Sequence, residues 1–541
     1  MKKLIISVTA AVVIALVALY AFTTRPTNEA LITLTPAIAI DVDDSFTLTA
    51  NKPVTQEREN ATDTTYAFDV SEGDEALGHL QIVVRAIDNG DQFVFQSFTS
   101  TADGERALPL KLHIKQAKSV DYFSFEEEII QEHDRVFGID YTSNVKGIFT
   151  INDSYDLLLS QNYVSRQLVE TYDDGTESRL RELVREDKTY EQTKHGNTTT
   201  FTLPLHTTKK DDISENWLLL SQEPLFNDDK ERTYYKNFTN DKFIMSNKWL
   251  VADGTYTKLP WSVEPATKLG YGRNLVALQA NKIAKLHAKS PQRFYYNMIV
   301  NSLNDLLLFK GDAAIWQTEY TSTWLKKDYG IQAPYTDTRH NENIALFLSE
   351  AGKLLKNEEV ANSDVIYADF LADQQRIDNI LRTENGYYIL DYYSSHQTKK
   401  THVSLNHALG EMNFLFKMYQ KTAVDKYKTT ALAIKAAFED TNTAWLNDSN
   451  GDFWYQINGD GTLVGKDYDT LTLEDIITSL SLYDELSIPY DMSFYYTLIS
   501  SKVLYLMRSE VPMPIKLYEN LSALGFESII KDYPHIVDYT K

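Results

Sequence analysis

The chain has 541 residues, 43% hydrophobic and 24% charged, with a formal net charge of −23 and no cysteine. That length allows two or three domains, each with its own core. The charge argues against nucleic acid as a partner, and against an acidic polymer unless a local basic patch receives it. The missing cysteines exclude disulfides, zinc–thiolate centres and cysteine nucleophiles, and a cysteine-free exported chain reads as bacterial.

Met1-Lys2-Lys3 precedes an apolar run from Leu4 to Phe22, interrupted by Ser7, Thr9 and Tyr20. The run is long enough to span a bilayer, the lysines suit the cytoplasmic side, and no clear small-x-small cleavage site follows. Residues 1–25 are therefore expected to form an uncleaved membrane anchor, with the bulk of the chain extracellular. A cleaved signal and secretion is the alternative.

Residues 30–262 read as a β-rich domain. "SFTLTA" (45–50) and "TYAFDV" (65–70) alternate apolar and polar residues, and "LQIVVRAI" (80–87), "QFVFQSFTS" (92–100) and "LPLKLHIK" (108–115) follow. "DNGD" (88–91) is a hairpin signal. "GIFTI" (147–151), "TTTFTLPL" (198–205) and "NWLLLSQ" (216–222) continue the pattern. Short strands at regular spacing predict an all-β sandwich or barrel. "SRLRELVREDKTYEQT" (178–193) is charged and reads as a short helix or an exposed arm.

After Pro265 the period becomes helical, and residues 266–541 are expected to form an α-helical domain. The spacing predicts helices over 274–290, 341–355, 365–381, 424–441, 473–486 and 494–510. In "SLNHALGEMNFLFKMY" (404–419), Leu405, Leu409, Met412, Phe416 and Tyr419 form one stripe, and Ser404 can cap it. The helices come in pairs without a fixed-period repeat, which suits an (α/α) toroid-like ring of hairpins. "FWYQI" (453–457), "NGDG" (458–461) and "TLVGK" (462–466) form a β-hairpin placed in the cleft between helix ends.

Four stretches carry candidate chemistry. In "YTDTRHNEN" (335–343), Asp337 or Thr338 caps a helix whose first turn holds Arg339 and His340. Arginine grips a carboxylate with two prongs, although charges at a solvated helix start need no ligand. In "YYILDYYSSH" (387–396), Asp391, Tyr392 and Tyr393 end a strand, as sheet packing or as a site. Asn406 opens the 404–419 helix as a cap or as a sugar ligand. The hairpin carries Tyr455 on one arm, with Lys466 and Tyr468 at the end of the other. "NDSNGD" (447–452) and "NGDG" match calcium loops only in part. No metal site and no cofactor is expected.

The order and spacing of Asp391-Tyr392, Leu405-Asn406-His407, Tyr455 and Asp467-Tyr468-Asp469-Thr470 resemble the C-terminal domain of D-glucuronyl C5-epimerases. The resemblance covers roughly residues 266–510 and is strongest over 387–480. It implies a β-domain followed by an (α/α) helical domain. It also implies an enzyme that inverts C5 of uronic acid units in a polysaccharide. Tyr455 and Tyr468 would be the acid/base pair, assisted by Asp391 and Tyr392, with Arg339, His340, Asn406 and Lys466 binding substrate. Such chemistry needs two acid/base groups on opposite faces of the sugar. A phenol poised near neutrality also needs its pKa lowered by about 3 units, through nearby cations. The chain departs from the family where cations are wanted: Gln456-Ile457-Asn458 follows Tyr455, and Gly465 stands three residues before Tyr468. Two alternatives stay open. One is a hydrolase or lyase using Asp391 with Asp467 or Asp469. The other is a non-catalytic protein that binds a glycan or another partner.

Overall fold

The computed structural model describes residues 31–126, 132–188, 190–278 and 280–538. Its first half is built on two sheets. A five-stranded sheet has the spatial order Ile32–Thr35, Ile38–Val42, Arg106–Ile114, Thr198–Thr207, Glu191–His195. A 14-stranded sheet carries the long meander Ala61–Glu72, Glu75–Ile87 and Gln92–Ser100, next to Asp212–Ser221, Asn162–Thr171 and Glu177–Asp187. The expected "DNGD" turn joins two of these strands, with Ala86 paired to Gln92.

The large sheet is covered on both faces, which explains why its central strands read as nearly continuous apolar runs. Val94, Leu218 and Leu220 point into a core shared with the small sheet. Phe93, Phe95, Trp217 and Leu219 point the other way, into a core that continues through the helices.

The longer helices are α1 (Asp229–Asp241), α2 (Asn281–Lys289), α3 (Arg293–Lys310), α4 (Thr323–Tyr329), α5 (Thr338–Leu355) and α6 (Val365–Asp373). They are followed by α7 (Leu405–Thr422), α8 (Asp425–Thr441), α9 (Leu471–Glu485), α10 (Met492–Arg508) and α11 (Ile515–Ala523). Helix α7 packs on α5, α6, α8 and α9, which is why all but a few of its side chains are buried. A charged lock joins sheet and helices. The buried Arg85 guanidinium holds Asp63 with two bonds (2.8 and 3.1 Å). It also donates to Asn301 (2.7 Å) and Asp305 (3.0 Å) on α3.

Several expectations are corrected. The charged segment 178–193 forms two strands, Glu177–Asp187 and Glu191–His195. Leu180 and Leu183 are buried, while charges such as Arg185 and Asp187 (2.9 Å) pair along the strand. The large sheet runs past residue 262, because Gly270–Arg273 pairs with Glu177–Asp187 and with Gly254–Lys258. The helix expected over 365–381 stops at Asp373, and Ile380–Arg382 pairs instead with Tyr387–Ile389. The expected membrane anchor and the membrane localisation drawn from it are also corrected. No helix among the described residues is long and apolar enough to cross a membrane, and the 4–22 segment itself lies outside them.

Candidate functional site

The first turns of α5, α7 and α9 meet, and the hairpin lies beside them. Asp337 caps α5 by accepting from the His340 N–H (2.9 Å). The dipeptide before the helix, Thr336–Asp337, pairs with Tyr392–Tyr393, and the Thr338 N–H donates to the Asp391 carbonyl (3.0 Å). Before α7, Val403–Ser404 pairs with the Trp454–Ile457 arm of the hairpin. Ser404 does not cap α7 as expected. Its hydroxyl donates to the Asp391 carboxylate, and its N–H does the same at 2.8 Å.

Asp391 is the buried centre of the site. His402 Nε2 lies 3.2 Å from one carboxylate oxygen, and His407 Nδ1 lies 3.7 Å from the other. Burial alone would raise this carboxyl's pKa. The neighbouring His407 and His402, with the Ser404 hydroxyl, outweigh it and hold the group below its ordinary value. An ionised Asp391 accepts the Nε2 proton of His402, which leaves Nδ1 to accept from the Tyr329 hydroxyl at 3.0 Å. The result is a continuous chain, Tyr329 to His402 to Asp391.

Aromatic rings surround this chain. The His402 ring centre lies 5.7 Å from Trp324, 5.9 Å from Tyr392 and 6.4 Å from Tyr455. Tyr455 meets Tyr468 edge to face at 5.8 Å, so the hairpin does bring its two tyrosines together. Gly465, at φ +86°, makes this possible, since a Cβ there would sit 3.0 Å from that of Tyr455. Three phenols of the cluster, Tyr455, Tyr392 and Tyr329, are held away from neutrality. Burial, then the Asp391 charge, pushes Tyr455 upward. Burial, Asp337 and Asp391 do the same to Tyr392, and burial, Asp328 and Asp391 to Tyr329. These hydroxyls are proton donors in the resting site.

The expected cations are mostly engaged. Arg339 donates to Glu342 (2.6 Å) and reaches the Asn406 carbonyl (3.4 Å) and Asp475 on α9 (3.5 Å). Gly410 on α7 makes room for this, because a Cβ there would fall 1.8 Å from the guanidinium. Burial raises Asp475 to about 7 against the pull of Arg339. His340 Nε2 stands 3.6 Å from Asp337. Asn406 is buried, and its side-chain oxygen has no hydrogen-bond partner. Lys466 extends from the exposed end of the hairpin, 3.9 Å from Asp469. Asp467, a candidate hydrolytic carboxylate, is instead tied to buried Lys502 (2.8 Å) and to Thr472 (2.6 Å). Among the described residues no group of three or more His, Asp or Glu is placed to hold a metal.

The structure thus gathers Asp391, Tyr392, Tyr455 and Tyr468 around His402, with Arg339, His340 and Asn406 on the adjoining helix ends. Sequence reasoning missed His402, Tyr329, Trp324 and Lys502. The signal for His402 was slight: it stands two residues before Ser404, just ahead of a strand too short to show a period.

No family model and no curated protein matches the chain. Among solved structures it is similar to carbohydrate enzymes. A glycoside hydrolase family 76 α-mannanase from Bacteroides thetaiotaomicron is 12% identical at a TM-score of 0.36, over 54% of this chain and 79% of that one. A D-mannose isomerase is 13% identical at 0.36, over 54% and 70%. The cellobiose 2-epimerase of Spirochaeta thermophila is 12% identical at 0.36, over 55% and 71%. Likeness of this extent carries no argument about the reaction, and it does not select the glucuronyl C5-epimerases that the sequence motifs resemble.

Proposed function

We propose that the chain is a carbohydrate-modifying enzyme of the epimerase type, its helical pairs arranged as an (α/α) toroid. Its substrate is a uronic acid unit of a polysaccharide, inverted at C5. The observation that carries this reading is the hydrogen-bonded Tyr329, His402 and Asp391 chain beside the paired Tyr455 and Tyr468.

Inversion removes a proton from one face of the carbon and returns one to the other. A free tyrosinate is costly where phenol pKa values are raised. Tyr329 avoids that cost by passing its proton to His402 Nδ1 as it accepts the C5 proton. The imidazolium formed is stabilised by Asp391. A hairpin hydroxyl, Tyr455 or Tyr468, supplies the proton on the opposite face; solvent then returns a proton to that hydroxyl and takes the one held by the His402 imidazolium, which restores the resting site. Lys466, at the exposed rim, supports the substrate carboxylate, and Tyr392 packs against His402 (5.9 Å) and holds its ring in place.

The test is incubation of the protein with uronic-acid polysaccharides in D2O, reading C5 deuteration by NMR. Deuterium that enters without chain cleavage, and inversion that is lost in His402→Gln and in the Tyr455→Phe, Tyr468→Phe double variant, is the expected result. No exchange across the panel by a folded protein would overturn catalysis. The half-exposed Tyr468 and Trp324 would then favour a glycan-binding protein.

A further inference from the structure

Two tryptophans stand on the surface next to the aromatic cluster: Trp324 is 40% exposed and Trp261 is 62% exposed. A short antiparallel ladder pairs Val263 with Ser322 and Glu264 with Thr321. Beyond it, the Ser262 carbonyl accepts from the N–H (2.9 Å) and hydroxyl (3.0 Å) of Thr323. The ladder ends there, because Thr323 opens α4, and Trp261 and Trp324 are the outward chain neighbours of this bonded pair.

Both side chains are held in place. The Trp261 backbone N–H donates to the Val136 carbonyl (3.2 Å), and its indole N–H donates to the Arg135 carbonyl (3.3 Å). The Trp324 ring lies 6.0 Å from Tyr329 and 5.9 Å from Tyr392, edge to face with each. With the polar edge of Trp261 satisfied by backbone, what the indole offers a partner is its flat face. Ring contacts run from Tyr468 through Tyr455 and His402 to Trp324, and Trp261 adds an exposed indole across the Ser262–Thr323 bond, on the strand-rich half. A protein partner would ask for a contiguous apolar patch of a few hundred Å2 or more. Ring faces interrupted by hydroxyls and carbonyls fit a row of flat, polyhydroxylated rings instead.

We propose that Trp261 and Trp324 form a distal platform for a polysaccharide, so that the ligand is a chain reaching from the reacting unit onto the β-rich half. The inference rests on the glycan reading above. Its test is calorimetric titration of the full chain with short and long heparan-type uronate oligosaccharides, and with a matched neutral mannan series. Wild type is expected to bind long oligosaccharides more tightly than short ones. Trp261→Ala and Trp324→Ala should each reduce long-chain affinity by about tenfold and shrink the long-to-short ratio. Trp261→Phe should restore part of the loss. An unchanged ratio in Trp261→Ala, or length-independent binding by wild type, overturns the platform and leaves the glycan reading standing. No binding of either series by wild type overturns the glycan reading, and the platform with it. Because Trp261 is so exposed, an unaltered melting temperature is expected to accompany its loss.

Discussion

Replacing Lys502 with Met tests how the hairpin is held. Lys502 is fully buried on α10, and its ammonium donates to Asp452 (2.5 Å), to Asp467 (2.8 Å) and to the Tyr468 carbonyl (2.7 Å). Asp452 stands just before the first arm of the hairpin and Asp467 just after the second, so one cation closes the base of the element that carries Tyr455 and Tyr468. Methionine keeps most of the stem and removes the charge, which leaves two buried carboxylates without their cation. Removing one partner of a buried ion pair costs about 3–5 kcal/mol. Protonation relieves part of this. Burial already raises the Asp467 pKa despite Lys502, and the variant raises it further. A carboxyl whose folded pKa lies above its unfolded value gives stability that is fully present below the unfolded value and lost as pH rises through the folded one. The deficit should therefore be small in acid and grow toward neutrality. Urea midpoints of wild type and variant across that range read it out, with near-ultraviolet circular dichroism following the aromatic cluster. Asp452→Asn with Asp467→Asn should recover part of the loss in the Lys502→Met background. A neutral-pH deficit below about 1 kcal/mol, the level of an exposed pair, or one that grows toward acid, would refute the reasoning.

Two further outcomes follow from buried charges elsewhere. Arg85→Met leaves Asp305 without its cation between the large sheet and α3, while Asp63 keeps Arg58 (3.0 Å), and should cost about 3–5 kcal/mol in urea unfolding. Burial raises Asp305 to about 7 even with Arg85 present, so a large part of this loss should disappear in mild acid. Glu411 lies buried on α7, with neither carboxyl oxygen hydrogen-bonded. Burial, then the Asp391 charge, holds its pKa well above the usual carboxylate range. Glu411→Gln should keep neutral-pH stability within about 1 kcal/mol of wild type. It should also flatten the fall in stability that the raised carboxyl imposes as pH rises, a slope read from urea midpoints against pH.

What the sequence determined was local. The turn residues of 458–461 set the hairpin between Trp454–Ile457 and Leu463–Lys466. The Leu405 stripe set α7, and Asp337 set the start of α5, because period and capping act within a few residues. Charge pattern misled at Glu177–Asp187, where strands on both sides supply the pairing that the segment lacks alone. The end of α6 at Asp373 was equally hidden, since Ile380–Arg382 is recruited by Tyr387–Ile389 rather than by its own helical period. Only the tertiary structure decided the electrostatics of the site. Arg339 is taken up partly by Asp475, 136 residues away, and Lys502 is bound by carboxylates 35 and 50 residues earlier. Asp391 and His402 are held together by the Asp391 N–H, which donates to the His402 carbonyl (3.2 Å), while short strands pair the flanking residues with the start of α5 on one side and with the hairpin on the other. A carboxylate's protonation and a lysine's availability depend on burial and on partners within a few ångströms, and distant stretches of chain supply both.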